Sequence, residues 1–429
     1  MSNFRIEIGA GTSAGDGDPR PIAISANGTV FTRLLRPGQK EPDDYLNAPA
    51  DRLAFWLIDN WWRLRWECIP PEGLNVPWRL AHEIASIGSG YAWPLLSFWG
   101  EGERVGILAR ADPPGVMGPV RFLTNSLSFV PSRDFEREVE RFLLIAGDES
   151  NGYGSQRSVL RALLESLNRE REDPEVAAWR RMEAALGFDQ DEAPESLMSG
   201  MAGLITRYEQ EGLEEAALAA PGLDALKVLR SEAEAAETCG LACDLEGATR
   251  AAQPFQYLAD QAPWLAAEVA ARNVRHCIGV SGVLGNKRLG ELLGLPTKAF
   301  SDPSQQSLRY GLRLKNGSYD RVLLKSRRQE GRRFQAARAL GDSIWSNQSA
   351  IGPLADSKTS RQKFQRAFAQ SLLCPFEDLK AYLKSANPSD YEDQADAARY
   401  FHVSVLTVQS VLKNKGVISD DFFSRLEVA

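Results

Sequence analysis

Histidine is scarce in this chain: His82, His276 and His402 are the only three in 429 residues. That restricts histidine-based catalysis. His82-Glu83 has the look of an opening zinc motif, but Ser86 stands where a second histidine would be needed one turn on. The reading preferred for His82 is therefore a partly buried side chain at a helix start. The five cysteines, Cys68, Cys239, Cys243, Cys277 and Cys374, are odd in number and widely spread. They argue against a disulfide framework and for a reducing compartment. Cys239 and Cys243 with His276-Cys277 make only a loose metal pattern, and buried thiols acting as small apolar groups are preferred.

Long apolar runs are missing too, since none approaches the roughly 18 residues of a membrane span. The start, Met1-Ser2-Asn3-Phe4-Arg5-Ile6-Glu7, lacks the regions of a signal peptide, so a cytoplasmic location without a membrane partner is expected. Gly9-Ala10-Gly11 lacks the third glycine and the Lys-Ser/Thr of phosphate loops, and no cofactor is expected. What is present, 43% hydrophobic and 25% charged residues, is the composition of a soluble globular protein of two or three domains.

Taken in order, residues 1–150 read as a mixed α/β domain. Strands are expected at Phe4–Ile8, Ile22–Ser25 and Val30–Leu35, followed by hairpin strands at Trp93–Trp99 and Val105–Ala109 and a strand at Val120–Val130. A helix over Leu53–Glu67 carries Trp56, Trp61, Trp62 and Trp66 interleaved with Arg63 and Arg65. That pattern suits an apolar core with snorkelling arginines better than a base-stacking groove. Asp134–Ile145 forms an amphipathic helix behind Ser132. Glu149–Ser155 is the expected linker, and residues 151–255 read as an acidic helical domain. Residues 157–250 hold 20 acids and 10 bases.

The last part, 256–429, is organised around Arg332–Asp342. Before it, Leu308–Leu314 and Arg321–Lys325 alternate around Lys315-Asn316-Gly317-Ser318 as a hairpin. From Phe334 the spacing turns helical: Phe334, Ala337, Arg338, Gly341, Ile344 and Trp345 mark one buried face, with Arg338 and Asp342 one turn apart on it.

Arg332-Arg333-Phe334, three residues, then a pair at i and i+4 resembles the zinc helix of the ImmA/IrrE metallopeptidase family. That family carries His-Glu-x-x-His there, two imidazoles for zinc and a glutamate as general base. Here the three positions hold Arg338, Ala339 and Asp342. The likeness continues through the helix ending Phe368-Ala369-Gln370-Ser371-Leu372-Leu373-Cys374-Pro375, in which Gln362 takes the place of the third ligand, and upstream through Lys287–Pro296. It ends in a helix-turn-helix-shaped tail, Gln394–Leu412.

The chain is expected to be α+β and predominantly helical, and the resemblance implies that its C-terminal domain is zincin-like. Arginine offers a metal no lone pair and alanine moves no proton, so zinc peptidase activity is not expected. An Arg338–Asp342 ion pair, with Gln362 hydrogen-bonded to it, would fill the metal's place; the alternative is that both residues are solvated on a helix flank.

Two uses remain for the charge pattern. The run 321–340 carries seven bases and one acid. Arg327, Arg328, Arg332 and Arg333 would meet phosphate or a partner, or else the chain's own acidic helices. In the tail, Thr407, Gln409 and Ser410 would be placed to reach base edges and Lys413 and Lys415 phosphates, although in the family it resembles this segment more often completes the fold. The leading expectation is a regulatory or scaffold protein with a protein partner. The runner-up is a nucleic-acid-binding protein. An enzyme built on scattered residues of 1–150 (Asp59, Arg63, His82, Glu83) stands third.

Overall fold

The computed structural model describes residues 4–9, 19–70, 73–115, 118–149, 155–302, 307–317, 319–346 and 349–419. Most of the expected loop between Gly9 and Pro19, the middle of the expected linker and Ser318 lie outside them. The chain is mixed α/β and predominantly helical, with several small antiparallel sheets. It divides into two compact units, 1–193 and 194–429, so the helices of 151–255 are shared between them. Short helices with one apolar stripe need a core to join: Leu160, Leu164 and Leu167 join that of the first unit. The helix Gln210–Ala219 packs on a strand of the second.

In the first unit, Pro19–Ala26 pairs antiparallel with Arg5–Ile8, Thr29–Val30 and Leu46–Pro49. Asn27 and Gly28 both have positive φ, which the tight turn requires. A second sheet pairs Leu95–Gly100 with Arg104–Arg110 and that strand with Ser126–Pro131. The expected aromatic helix is broken. It runs as Ala50–Asp59 and Trp61–Trp66 because Asn60 donates its side-chain amide to the Trp56 carbonyl at 2.9 Å, competing with the helical ladder.

Trp56, Trp61 and Trp62 are core residues. Arg63 donates to Glu67 and Asp189, and Arg65 to Glu136, so neither faces a ligand. His82 ends the helix Val76–His82, rather than starting one, and is fully buried. Its ring stacks on Trp78 at 4.2 Å with Nε2 2.9 Å from Glu67, while Glu83 is bound by Arg79 and Arg110. Arg63 and His82 meet on one oxygen, Glu67 Oε2, at 2.7 and 2.9 Å, whereas Glu83 belongs to a separate group with Arg79 and Arg110.

The second unit is built on a four-stranded antiparallel sheet in the order Leu241–Cys243, Tyr319–Leu323, Gly311–Asn316, Ile351–Leu354. The hairpin lies where alternation places it, with Gly317 at φ +64° in its turn. Ile351–Leu354 was not expected as a strand, because Gly352 and Pro353 weaken the signal; as an edge strand it tolerates both. The helix Ala225–Cys239 packs on one side of the sheet's strands and the helix Gln329–Trp345 is close by on 311–316 and 351–354. The latter, the central helix, packs in turn on Ser360–Leu373, which also meets Pro263–Cys277.

One buried face was expected for the central helix. Instead every residue from Ala336 to Ile344 is buried, since sheet and helices enclose it. Two further helices, Tyr391–Phe401 and Val405–Asn414, are joined through His402 in the left-handed region and Ser404, whose side chain caps the second. No helix among the described residues is long and apolar enough to cross a membrane.

Phe364 sits at the junction of the helices, fully buried and packed on Phe255, Trp345 and Phe368. Phe364→Ala is expected to cost the second unit about 3–5 kcal/mol through the cavity it leaves. Leu406→Ala, at a side chain 70% exposed, should stay within about 0.5 kcal/mol. Urea denaturation of both variants checks the contrast.

Candidate functional site: a buried arginine network

Helix Ser360–Leu373 is fixed at its start by Thr359. The Thr359 Oγ1 accepts from the Gln362 backbone N–H at 3.1 Å and donates to Glu215 Oε1 at 2.7 Å. That start aims Arg361, Gln362 and Gln365 at the central helix. Arg338 Nη2 donates to Gln362 Oε1 at 2.6 Å, to Gln365 Oε1 at 3.1 Å and to the Ala355 carbonyl at 2.6 Å. Gln362 also accepts from Ala355 N and donates to the Pro353 carbonyl.

Asp342 does not pair with Arg338, and the expected ion pair is corrected on this point. Its Oδ1 accepts from Arg361 Nε (2.7 Å) and Gln365 Nε2 (2.7 Å); its Oδ2 accepts from Arg361 Nη2 (3.0 Å) and Arg313 Nε (2.7 Å). Four donors leave no room for a fifth strong one, and Gln365 alone bridges Asp342 to Arg338. Ala339 does not face this network: it is packed in the apolar core.

The charges explain the arrangement. Burial by itself raises the Asp342 carboxyl, but Arg361 and Arg313 outweigh it and hold the group below the ordinary carboxylate range. Arg338 has only neutral hydrogen-bond partners. Burial first, and then nearby Arg366, push its guanidinium down to about 9, still protonated at neutral pH. Glu215, also buried, is raised by burial, against the pull of Arg361.

Arg313 carries the network into the sheet. Besides Asp342, it donates to Asp320 Oδ1 at 2.9 Å and to the carbonyls of Ser346 and Ser349. Gly352 lets the edge strand come this close, because a Cβ there would lie 1.7 Å from Asp342 Oδ2.

These residues do not fit a zinc ion. Arg338 lacks a lone pair, the Asp342 carboxylate is held by two guanidiniums, and the Gln362 amide is fully engaged. Among the described residues no group of three or more His, Cys, Asp or Glu side chains is placed to hold a metal ion.

The proposed contact residues fare differently. Arg327 and Arg328 are exposed at the start of the central helix. Arg332 and Arg333 are buried and are not surface contacts. Arg332 donates to the Ala299 carbonyl at 2.7 Å and to that of Leu324; Arg333 donates to the carbonyls of Leu284 (2.5 Å) and His402 (3.0 Å) and to Asn286. Burial pushes Arg333 down to about 10. Both bind backbone carbonyls rather than the acidic helices, because a guanidinium fork matches several carbonyls at once.

In the tail, Lys413 is half-buried and Lys415 is 2.8 Å from Glu268. Thr407 is buried in the cap of Ser404, Gln409 donates to Gln394, and Ser410 donates to the Leu406 carbonyl, so the base-reading assignment for these three is not met.

Arg313, Arg361, Gln365 and Gly352 escaped sequence reading. Strand alternation assigned Arg313 to solvent, between Leu312 and Leu314. The four-residue spacing of Arg361 and Gln365 on one helix was the available signal.

Asp342→Ala leaves Arg313 and Arg361 buried without their shared counter-ion, and the expected loss is about 3–5 kcal/mol in the second unit, read by urea denaturation. Arg338→Met, which removes a charge with only neutral partners, should cost clearly less.

A pH effect follows from the same group. A carboxylate depressed in the folded state contributes stability that is present above its unfolded value of 3.8 and lost as pH falls through the folded value. Stability measured from pH 5 downward should therefore fall more steeply below about pH 4 in the parent chain than in Asp342→Asn.

No protein-family model, curated protein or solved structure matches the chain, so the role of this network is read from its geometry.

Proposed function

We propose that the chain is a non-catalytic regulatory or scaffold protein. In this reading residues 256–429 are a degenerate ImmA/IrrE-type domain, zincin-like with a helix-turn-helix-shaped tail, that works by binding a partner protein. The carrying observation is the 2.6 Å contact between Arg338 and Gln362. Two positions assigned to zinc ligands from the sequence, 24 residues apart, meet in a buried site whose chemistry excludes zinc. By the resemblance, the setting is bacterial stress response, mobile-element control or phage defence.

A protein partner is favoured over nucleic acid by the outward face of the tail. Leu406 stands 70% exposed on the second helix, and Tyr382 and Tyr400, both exposed, stack at 4.6 Å beside the first. Exposed apolar and aromatic groups suit a protein interface, which is enriched in aromatic residues at its centre. The nucleic-acid reading retains Arg327 and Arg328, but Arg332 and Arg333 are lost to it.

The two readings separate in one experiment, affinity purification of the full chain from a bacterial host in nuclease-treated and untreated halves. A stoichiometric protein retained after nuclease, and lost when Leu406 and Tyr400 are both changed to Ala, is the expected result. Nucleic acid released by moderate salt, and lost with Arg327→Glu plus Arg328→Glu, would replace this reading with the other.

A further inference from the structure

We infer that a cavity in the second unit binds a small molecule carrying a vicinal diol, whether a free sugar or the ribose of a nucleotide. The cavity lies between the helix Glu246–Ala251, the tip of the 311–323 hairpin and Ser343 of the central helix. Its volume is about 550 Å³, within the range of small-molecule sites. The inference stands on the cavity's own residues and does not require the metallopeptidase likeness.

The chemistry of the floor selects the ligand. Arg313, Asp320, Thr249 and Ser343 line it and are all buried polar residues. Arg313 is committed: its Nε serves Asp342, Nη1 serves Asp320, and Nη2 serves two carbonyls. Asp320 takes one of these donors on Oδ1, and a carboxylate has capacity for more.

Thr249 and Ser343 place their hydroxyl oxygens 3.0 Å apart. One hydrogen bond between them uses one of two hydroxyl hydrogens, leaving a donor together with free lone pairs.

An apolar ligand would strip water from these groups without replacing it. An anion at the floor would meet the Asp320 carboxylate, and a metal cation would meet the Arg313 guanidinium. A neutral ligand with donor and acceptor on adjacent atoms satisfies both the carboxylate and the hydroxyl pair, and neighbouring hydroxyl groups are that arrangement.

The rim fits the same class. Tyr319, 40% exposed, brings an aromatic ring to the mouth, where it can cover a sugar face. Lys315 and the Arg250–Glu246 ion pair, at 3.5 Å, place charged groups at the rim, and Lys315 is the cation there that a nucleotide's phosphate would approach.

Saturation-transfer NMR on the full chain, with D-glucose, adenosine 5′-monophosphate and its 2′,3′-dideoxy analogue as separate probes, tests the inference. Glucose or the monophosphate should bind in the millimolar range or tighter while the dideoxy compound gives no signal. Ser343→Ala and Thr249→Val, each first checked for an unchanged melting temperature, should each weaken binding about five-fold.

Binding of glucose alone identifies a free-sugar site. Binding of the monophosphate alone, weakened by Lys315→Ala, identifies a nucleotide. Silence of both diols at 10 mM overturns the inference, as does equal binding of the dideoxy compound. Binding that both floor variants leave unchanged also overturns it; if one variant fails to fold, the other decides.

Discussion

The second unit depends on keeping one carboxylate, Asp342, charged and out of water. It is fully buried, and desolvating a carboxylate costs several kcal/mol unless donors replace its hydration. Four donors do so here, and they arrive from two different segments: Arg313 from the hairpin, and Arg361 and Gln365 from the helix that follows. Gly352 removes the one Cβ that would obstruct them. Strand order, the glycine at the edge and the packing of two helices are therefore tied to a single charge. The attraction contributes less to net stability than its short distances suggest, since burial offsets much of it, but removing either side leaves the other uncompensated.

This constraint bears on function through what it forbids. A metal site needs lone pairs pointing at a common centre, with an open position if it is to do chemistry. Here the common centre is filled by hydrogen bonds between arginine, glutamine and aspartate. Arg338 is the group least well compensated, a buried cation among neutral acceptors. Arg313 and Asp320 also line a polar cavity, and Arg361 lies 3.5 Å from the exposed Glu211.

Much of the fold was legible in the sequence. The central helix followed from apolar spacing and the hairpin from alternation and its turn residues, while the helix ending at Leu373 followed from the family resemblance. The neighbouring positions of Arg338 and Gln362 followed only with the family resemblance as a guide. Arg313 was not legible, because alternation assumes one wet face and this strand is covered on both. Arg332 and Arg333 looked like part of a surface charge run, and nothing local revealed that carbonyls near residues 284, 299 and 402 would satisfy them. In the tail, Thr407 and Gln409 are polar in sequence but are spent on a cap and on Gln394. For the arginines, what sequence missed was a long-range polar partner, which propensity and periodicity do not encode.

Hydrogen-bonded side chains occupy the position where the likeness expects zinc. The measurement that tests it most directly is the zinc content of the full chain, purified without chelator and then equilibrated with zinc, by inductively coupled plasma mass spectrometry. The same determination on Asp342→Ala serves as the internal comparison. Substoichiometric zinc in the parent chain, with no decrease in the variant, is the expected result. One zinc per chain, lost on replacing Asp342, would contradict it.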